Sequence, residues 1–95
     1  MIEVRHNTRA SRFEATVEGL LCRADYQLLG DVLRLHHTEV PASLRGRGVA
    51  GELVRSAFAW AEANQLKVEP ACSYVRGYVE RHPEVRTLLA PATKT

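Results

Sequence analysis

Leu44-Arg45-Gly46-Arg47-Gly48-Val49-Ala50-Gly51 is the stretch on which the reading of the fold turns. Before it the apolar residues recur at every second position, and after it at three- and four-residue steps. It therefore marks a passage from strands to a helix. Read as G-x-G-x-x-G, residues 46–51 suggest a dinucleotide-binding turn, with Glu69 roughly where a ribose-binding acid would fall. The context rejects that reading: a dinucleotide fold needs several parallel βαβ units, and here a meander precedes the loop and only 44 residues follow it. Read as G-x-x-x-x-G-K-[ST], the stretch fails because Glu52 stands where the phosphate-binding lysine belongs.

Outward from the loop, Phe13, Ala15 and Val17 alternate with Arg12, Glu14, Thr16 and Glu18. After Gly19, Cys22, Ala24, Tyr26 and Leu28 alternate with Arg23, Asp25 and Gln27. Gly30-Asp31 is a hairpin signal leading into a third run over residues 32–40. With a short first strand over residues 2–5, these runs predict an antiparallel meander. Beyond the loop, Ala50, Leu53, Val54, Ala57, Phe58 and Ala61 form the stripe of an amphipathic helix ending near Asn64-Gln65. Residues 66–69 suit one short strand, and a second helix starts near Ser73. His82-Pro83 stops that helix, because proline disfavours helical geometry at the residue before it. Pro83 can then open a final short helix through Leu89. Strands first, then helix, strand and helix, predict one α+β domain over residues 1–95, built on a single sheet.

The composition adds limits. Of 95 residues, 45% are hydrophobic and 25% charged, the proportions of an ordinary globular domain. No apolar run approaches the ~18 residues of a membrane span, and the charged, alternating start does not read as a secretory signal. A cytoplasmic protein that binds no membrane is the expectation. Thirteen basic and eleven acidic residues leave a net charge of +2, without a long single-sign run, so no nucleic-acid partner is expected. Cys22 and Cys72 stand fifty residues apart, which fits no metal template, and no metal is expected.

A third pattern, [Arg/Gln]-x-x-Gly-x-[Gly/Ala], is met by Arg45, Gly48 and Ala50. At a helix N-terminus, unpaired backbone N–H groups and the positive end of the dipole favour a pyrophosphate. Glycines let that backbone approach closely, and Arg45 and Arg47 can add charge-assisted bonds. The plain alternative is a glycine-rich connection with exposed arginines.

This stretch resembles the acetyl-CoA signature of the GNAT superfamily of N-acetyltransferases. Three more segments resemble one small branch of it, the minimal YjdJ-type family, in order and spacing: His37-Thr38-Glu39-Val40-Pro41, Pro70-Ala71-Cys72-Ser73-Tyr74-Val75 and His82-Pro83-Glu84. The resemblance implies a mostly antiparallel sheet with one parallel βαβ unit. Its two strands, residues 32–40 and 66–71, would splay to hold acetyl-CoA. It implies that the N-terminal helices of larger members are missing. Val40, Arg45, Gly46, Arg47, Gly48, Val49 and Ala50 would bind the cofactor. Acetyl-CoA would be the co-substrate, and a small-molecule or protein amine the acceptor.

An amine attacking a thioester must lose a proton to a base. The resemblance places a general-base carboxylate at Glu39; its plain alternative is a solvated strand-end glutamate. Histidine, whose free side chain titrates near ~6.5, is a second candidate at His37. Leu33, Leu35, His37 and Glu39 are expected on one strand face, so the two can pair. Cys72 precedes a helix start, where the dipole favours the thiolate. It can take the acetyl group covalently, line the wedge, or serve as a small buried hydrophobe. Tyr78 loosely resembles the tyrosine that protonates the departing CoA thiolate, although His82-Pro83 replaces the glycine–phenylalanine pair that larger members carry. A non-catalytic CoA-binding module shares all these loop features. An exposed edge strand leaves a monomer or a weak homodimer open.

Overall fold

In a computed structural model, residues 2–91 are described. The strands are β1 (Arg5–Asn7), β2 (Arg12–Val17), β3 (Leu20–Leu29), β4 (Val32–Glu39) and β5 (Lys67–Pro70); the helices are α1 (Val49–Ala63) and α2 (Ser73–Arg81). The five strands pair in chain order, antiparallel from β1 to β4, and β4 pairs β5 in parallel. A parallel partner cannot be reached by a tight turn, so α1 supplies the crossover.

Both helices lie on one face of the sheet. Phe13, Ala15, Cys22, Ala24, Leu33 and Leu35 from the strands meet Leu53, Val54, Ala57, Phe58 and Ala61 of α1, and all are buried. The other face carries Arg12, Glu14, Arg23, Asp25, Arg34 and Glu69, tied in pairs such as Arg12–Glu14 at 2.7 Å and Arg34–Glu69 at 3.3 Å. No helix of the described residues covers it. The connections match their sequence signals: two residues, Glu18-Gly19, join β2 to β3, and Gly30-Asp31 joins β3 to β4.

Three expectations are corrected. The first strand is Arg5–Asn7 and not residues 2–5. Ile2 and Val4 pack on the core without entering the ladder, whereas His6 pairs with Phe13 and stacks on its ring at 4.1 Å. Packing across strands sets where the ladder begins, and local alternation does not report it. The last helical segment, Pro83–Leu88, is 3-10 helix, and Leu89 then bridges Val68 in parallel, with Ala90 N–H bonded to the Val68 carbonyl at 2.8 Å. This bridge protects the outer edge of β5 and has no sequence signature.

The third correction matters most. Tyr26 opposes Leu35, but Asp25 opposes His37, so β4 spends two residues where β3 spends one. This is a β-bulge at His36, and it inverts the alternation beyond it. Leu33 and Leu35 are fully buried, whereas His37 and Glu39 turn to the polar outer face and Thr38 turns inward with Ala24. The four residues expected on one face are divided two and two.

At the far end of the sheet, His6 sits among Phe13, Tyr26 and Trp60, its Nε2 sharing a 2.7 Å hydrogen bond with the Tyr26 hydroxyl. Burial holds the His6 pKa below its ordinary value. The neutral form is therefore the native one. Its stability contribution is present above the ordinary histidine pKa of ~6.5 and lost as pH falls through the lower folded value. Melting temperatures measured from pH 7 to pH 5 are expected to fall, and His6→Phe is expected to flatten that slope. An unchanged slope in the variant would refute the assignment.

Candidate active site

β4 and β5 pair only from Val32–Lys67 to Leu35–Pro70. The last main-chain link between them is the Ala71 N–H to the Leu35 carbonyl, at 2.9 Å. Beyond it β4 runs on to Glu39 while the chain after β5 turns into α2, so the strands part. A cavity of about 740 Å3 opens there. Its walls are the end of β4 from His37 to Glu39, the connection from Val40 to Gly48 apart from Ser43 and Arg47, the first turn of α1, and Tyr74 of α2.

The connection is built from the sequence upward. Pro41 precedes a single 3-10 turn, Ala42–Leu44, whose Leu44 is fully buried and anchors the loop to the core. Gly46 and Gly48 then take φ of 81° and 80°, left-handed values that cost a side-chain-bearing residue roughly 1–2 kcal/mol. Gly48 caps α1 without a side-chain bond, and the Glu52 N–H donates to the Gly48 carbonyl at 3.1 Å. The amides of Val49, Ala50 and Gly51 stand before that first helical bond and have no partner within the helix. A Cβ added at Gly46 or Gly48 would meet nothing within 4 Å. The space beside them is open, as close approach of a ligand requires.

The two loop arginines divide. Arg45 lines the cavity and its Nε donates to the Val40 carbonyl at 3.4 Å. Arg47 faces a second depression of about 870 Å3 and is paired at 2.8 Å with Glu18 of the β2–β3 turn. That bond holds the Glu18 carboxyl below its usual range.

Cys72 is the N-cap residue of α2, as its place before Ser73 suggests. Its Sγ lies 3.6 Å from the Thr38 hydroxyl, directly behind a residue that lines the cavity. Burial pushes the Cys72 thiol up, but hydrogen bonds from the Thr38 side chain and from the backbone of Val75, Tyr74 and Thr38 outweigh it. The net pKa lies below the ordinary value. Cys22, by contrast, is fully buried in the core, and burial raises it. Both cysteines are free thiols.

His37 and Glu39 line the cavity from the outer face, His37 Nε2 lying 3.2 Å from Glu39 Oε1. The same oxygen lies 3.2 Å from Arg23 Nη2. The hydrogen bond from His37, and after it the Arg23 charge, holds the Glu39 carboxyl below its usual range. Tyr78 is not brought to the cavity. It is buried between Phe58 and His82, with ring centroids at 5.8 and 4.1 Å, and burial raises its pKa. Tyr74 is the tyrosine that reaches the wall, its hydroxyl 3.5 Å from the position of a Cβ at Gly51. Thr38, Tyr74 and Arg23 are the site-proximal residues that sequence reasoning passed over. Tyr74 could have been found from its one-turn spacing to Tyr78; Thr38 and Arg23 depend on the bulge and the register.

A parallel pair that parts beside a helix-opening glycine loop defines an acetyltransferase-like α+β domain. A family model for GCN5-related N-acetyltransferases matches residues 12–88. Human protein NATD1 is 35% identical over 85 residues, covering 86% of this chain and 75% of its own length; chicken NATD1 is 34% identical, covering 86% and 77%. A solution structure of a GCN5-like protein from Staphylococcus aureus superposes with a TM-score of 0.75 at 20% identity, covering 96% of this chain and 90% of that one. This chain belongs to the GCN5-related N-acetyltransferase family. The family generally uses acetyl-CoA. Among the described residues no helix is long and apolar enough to cross a membrane, and no cluster of three or more His, Cys, Asp or Glu side chains is arranged to hold a metal ion.

Proposed function

We propose that this chain binds acetyl-CoA in the cavity beside β4 and transfers the acetyl group to an amine. The observation that carries the reading is the loop at the mouth of the parted strands: left-handed Gly46 and Gly48, open space beside both, and the uncapped start of α1. Backbone N–H groups there suit a pyrophosphate, with Arg45 on the cavity wall adding charge. Val40, Val49 and Ala50 also line that wall. Arg47 joins them when it exchanges Glu18 for a phosphate oxygen. The bound thioester supplies an activated acetyl group; the protein's part is to hold it and accept the proton of the amine.

Titration with acetyl-CoA is expected to give saturable heat and a raised melting temperature, because a ligand that binds only the folded state stabilises it. No response at millimolar acetyl-CoA would overturn the reading. Turnover with a panel of small and peptide amines separates an enzyme from a binding module. The acceptor is a small-molecule or protein amine, the protein works as a monomer or weak homodimer, and no nucleic acid takes part. Two free thiols suit the reducing cytoplasm.

The N-cap place of Cys72 and its lowered thiol pKa support a relay as a second route. Its thiolate would attack the thioester carbonyl, forming an S-acetyl bond as the carbon–sulfur bond to CoA breaks, and CoA would leave as its thiol after taking a proton. The amine would then attack the acetyl-cysteine, the N–C bond forming as the carbon–sulfur bond to Cys72 breaks, with the electron pair returning to the Cys72 sulfur and the amine proton passing to a base. Intact-mass measurement after mixing with acetyl-CoA is expected to show one added acetyl group, absent in Cys72→Ala. Full turnover by Cys72→Ala would exclude this route and leave direct attack of the amine.

A further inference from the structure

We propose that His37 is the general base of the transfer, and that Arg23, acting through Glu39, is the positioning residue that fixes its ring. This rests on the reading of the site as an acetyltransferase and goes beyond it by deciding between the two side chains that border the cavity from the outer face.

Glu39 is poorly suited to take a proton. A single oxygen, Oε1, lies 3.2 Å from both His37 Nε2 and Arg23 Nη2, and these two partners hold the carboxylate in its ionised form. An acceptor of lowered basicity gains little from protonation, and general-base catalysis works best when the acceptor titrates near the working pH. Imidazole meets that condition by its nature.

The hydrogen bond also decides which ring nitrogen is left free to act. With Nε2–H donating to Glu39, the neutral ring carries its lone pair on Nδ1. Glu39 then orients the ring and balances the imidazolium that forms, the part a carboxylate plays toward a catalytic histidine elsewhere. Glu39 is in turn held from β3, because the register sets Arg23 opposite Glu39 and Asp25 opposite His37. Arg23 Nε is bonded to Asp25 Oδ2 at 3.1 Å, so its guanidinium spans both carboxylates. Asp25 Oδ1 is buried without a hydrogen-bond partner. Around His37, the charged groups on its own strand and β3 are therefore Glu39, Asp25 and Arg23. Arg45 lines the same cavity from the loop, and the neighbouring His36 lies on the bulge. In the step in which the amine attacks, the N–C bond forms as the bond from the acetyl carbon to sulfur breaks, whether that sulfur is CoA's or Cys72's. The electron pair stays on sulfur, and the amine proton passes to His37 Nδ1 and then to solvent.

The experiment has two arms. Nitrogen-15 spectra of the wild-type imidazoles are expected to show neutral His37 as the Nε2–H tautomer, with that preference lost in Glu39→Ala. A neutral ring protonated on Nδ1 would overturn the proposal whatever the activity. The second arm follows acetyl transfer to a short lysine peptide and to water across pH. The lysine ionises near ~10, well clear of imidazole. The wild type is expected to lose kcat/KM as pH falls through the imidazole range. His37→Gln should lose that limb and roughly 10²–10⁴ in rate, while acetyl-CoA binding by calorimetry stays within a few-fold. Glu39→Gln should keep the limb and lose only part of kcat. Arg23→Gln should lower kcat several-fold with an unchanged KM for acetyl-CoA, and Arg23→Lys should restore part of the loss. Retention of the limb by His37→Gln, with loss of all activity in Glu39→Gln, would make Glu39 the base. No transfer to peptide or water by the wild type would overturn the transferase reading and this proposal together, and calorimetry would still report whether acetyl-CoA binds.

Discussion

Gly48→Glu is expected to weaken acetyl-CoA binding by roughly 100-fold or more, a loss of about 2.7 kcal/mol, while the protein remains folded. Gly48 has a φ of 80° and opens α1 at the cavity wall. A side chain there would project where a pyrophosphate must approach the helix amides, and a carboxylate would add like-charge repulsion. The backbone conformation costs the variant roughly 1–2 kcal/mol, and no atom within 4 Å resists a Cβ. Gly30→Glu is the matched control, because Gly30 also has positive φ and an empty surround but sits in the β3–β4 turn. Calorimetry should find wild-type affinity in the Gly30 variant and none measurable in the Gly48 variant. Equal affinity in the two would remove the loop from the binding site.

The second large effect is on the wedge itself. Leu35 is fully buried, and its carbonyl accepts the last hydrogen bond before β4 and β5 part. Leu35→Ala is expected to cost about 2–5 kcal/mol, a large fraction of the 5–15 kcal/mol typical of a whole domain. For a chain of this size the melting temperature should fall on the order of 10–30 °C. Leu28→Ala removes the same atoms from a side chain that is 51% exposed, and it should change stability by no more than about 0.5 kcal/mol. If both variants melted alike, the Leu35 side chain would not be a core support beneath the wedge.

The parts of the site that were legible in sequence are those made by contiguous residues. Arg45, Gly48 and Ala50 carry the loop pattern within six positions, and the change of period on either side places it between a strand and a helix. Cys72 was readable as a cap because Ser73 opens the next apolar stripe. The faces of β4 beyond Leu35 were not readable. Strict alternation puts His37 and Glu39 beside Leu33, and the bulge puts Thr38 there instead. Nothing between Leu35 and Glu39 marks the extra residue, because it is defined by which partners in β3 it faces. Arg23 and Asp25 entered for the same reason, as neighbours by register and not by spacing. Tyr78 shows the converse: a spacing argument points toward a thiolate, and three-dimensional packing buries the ring under α1.

By itself the sequence determined the element order, the α+β class, the amphipathic stripe of α1 and the glycine loop at its start, because each depends on interactions within a few residues. Only the tertiary structure decided how the site around that loop is assembled. It set the point at which β4 and β5 separate, the face that His37 and Glu39 occupy, the pairing of Arg47 with Glu18 and the contact between Thr38 and Cys72. Those features follow from pairing register and side-chain packing between segments distant in the chain, and a local pattern carries no record of either.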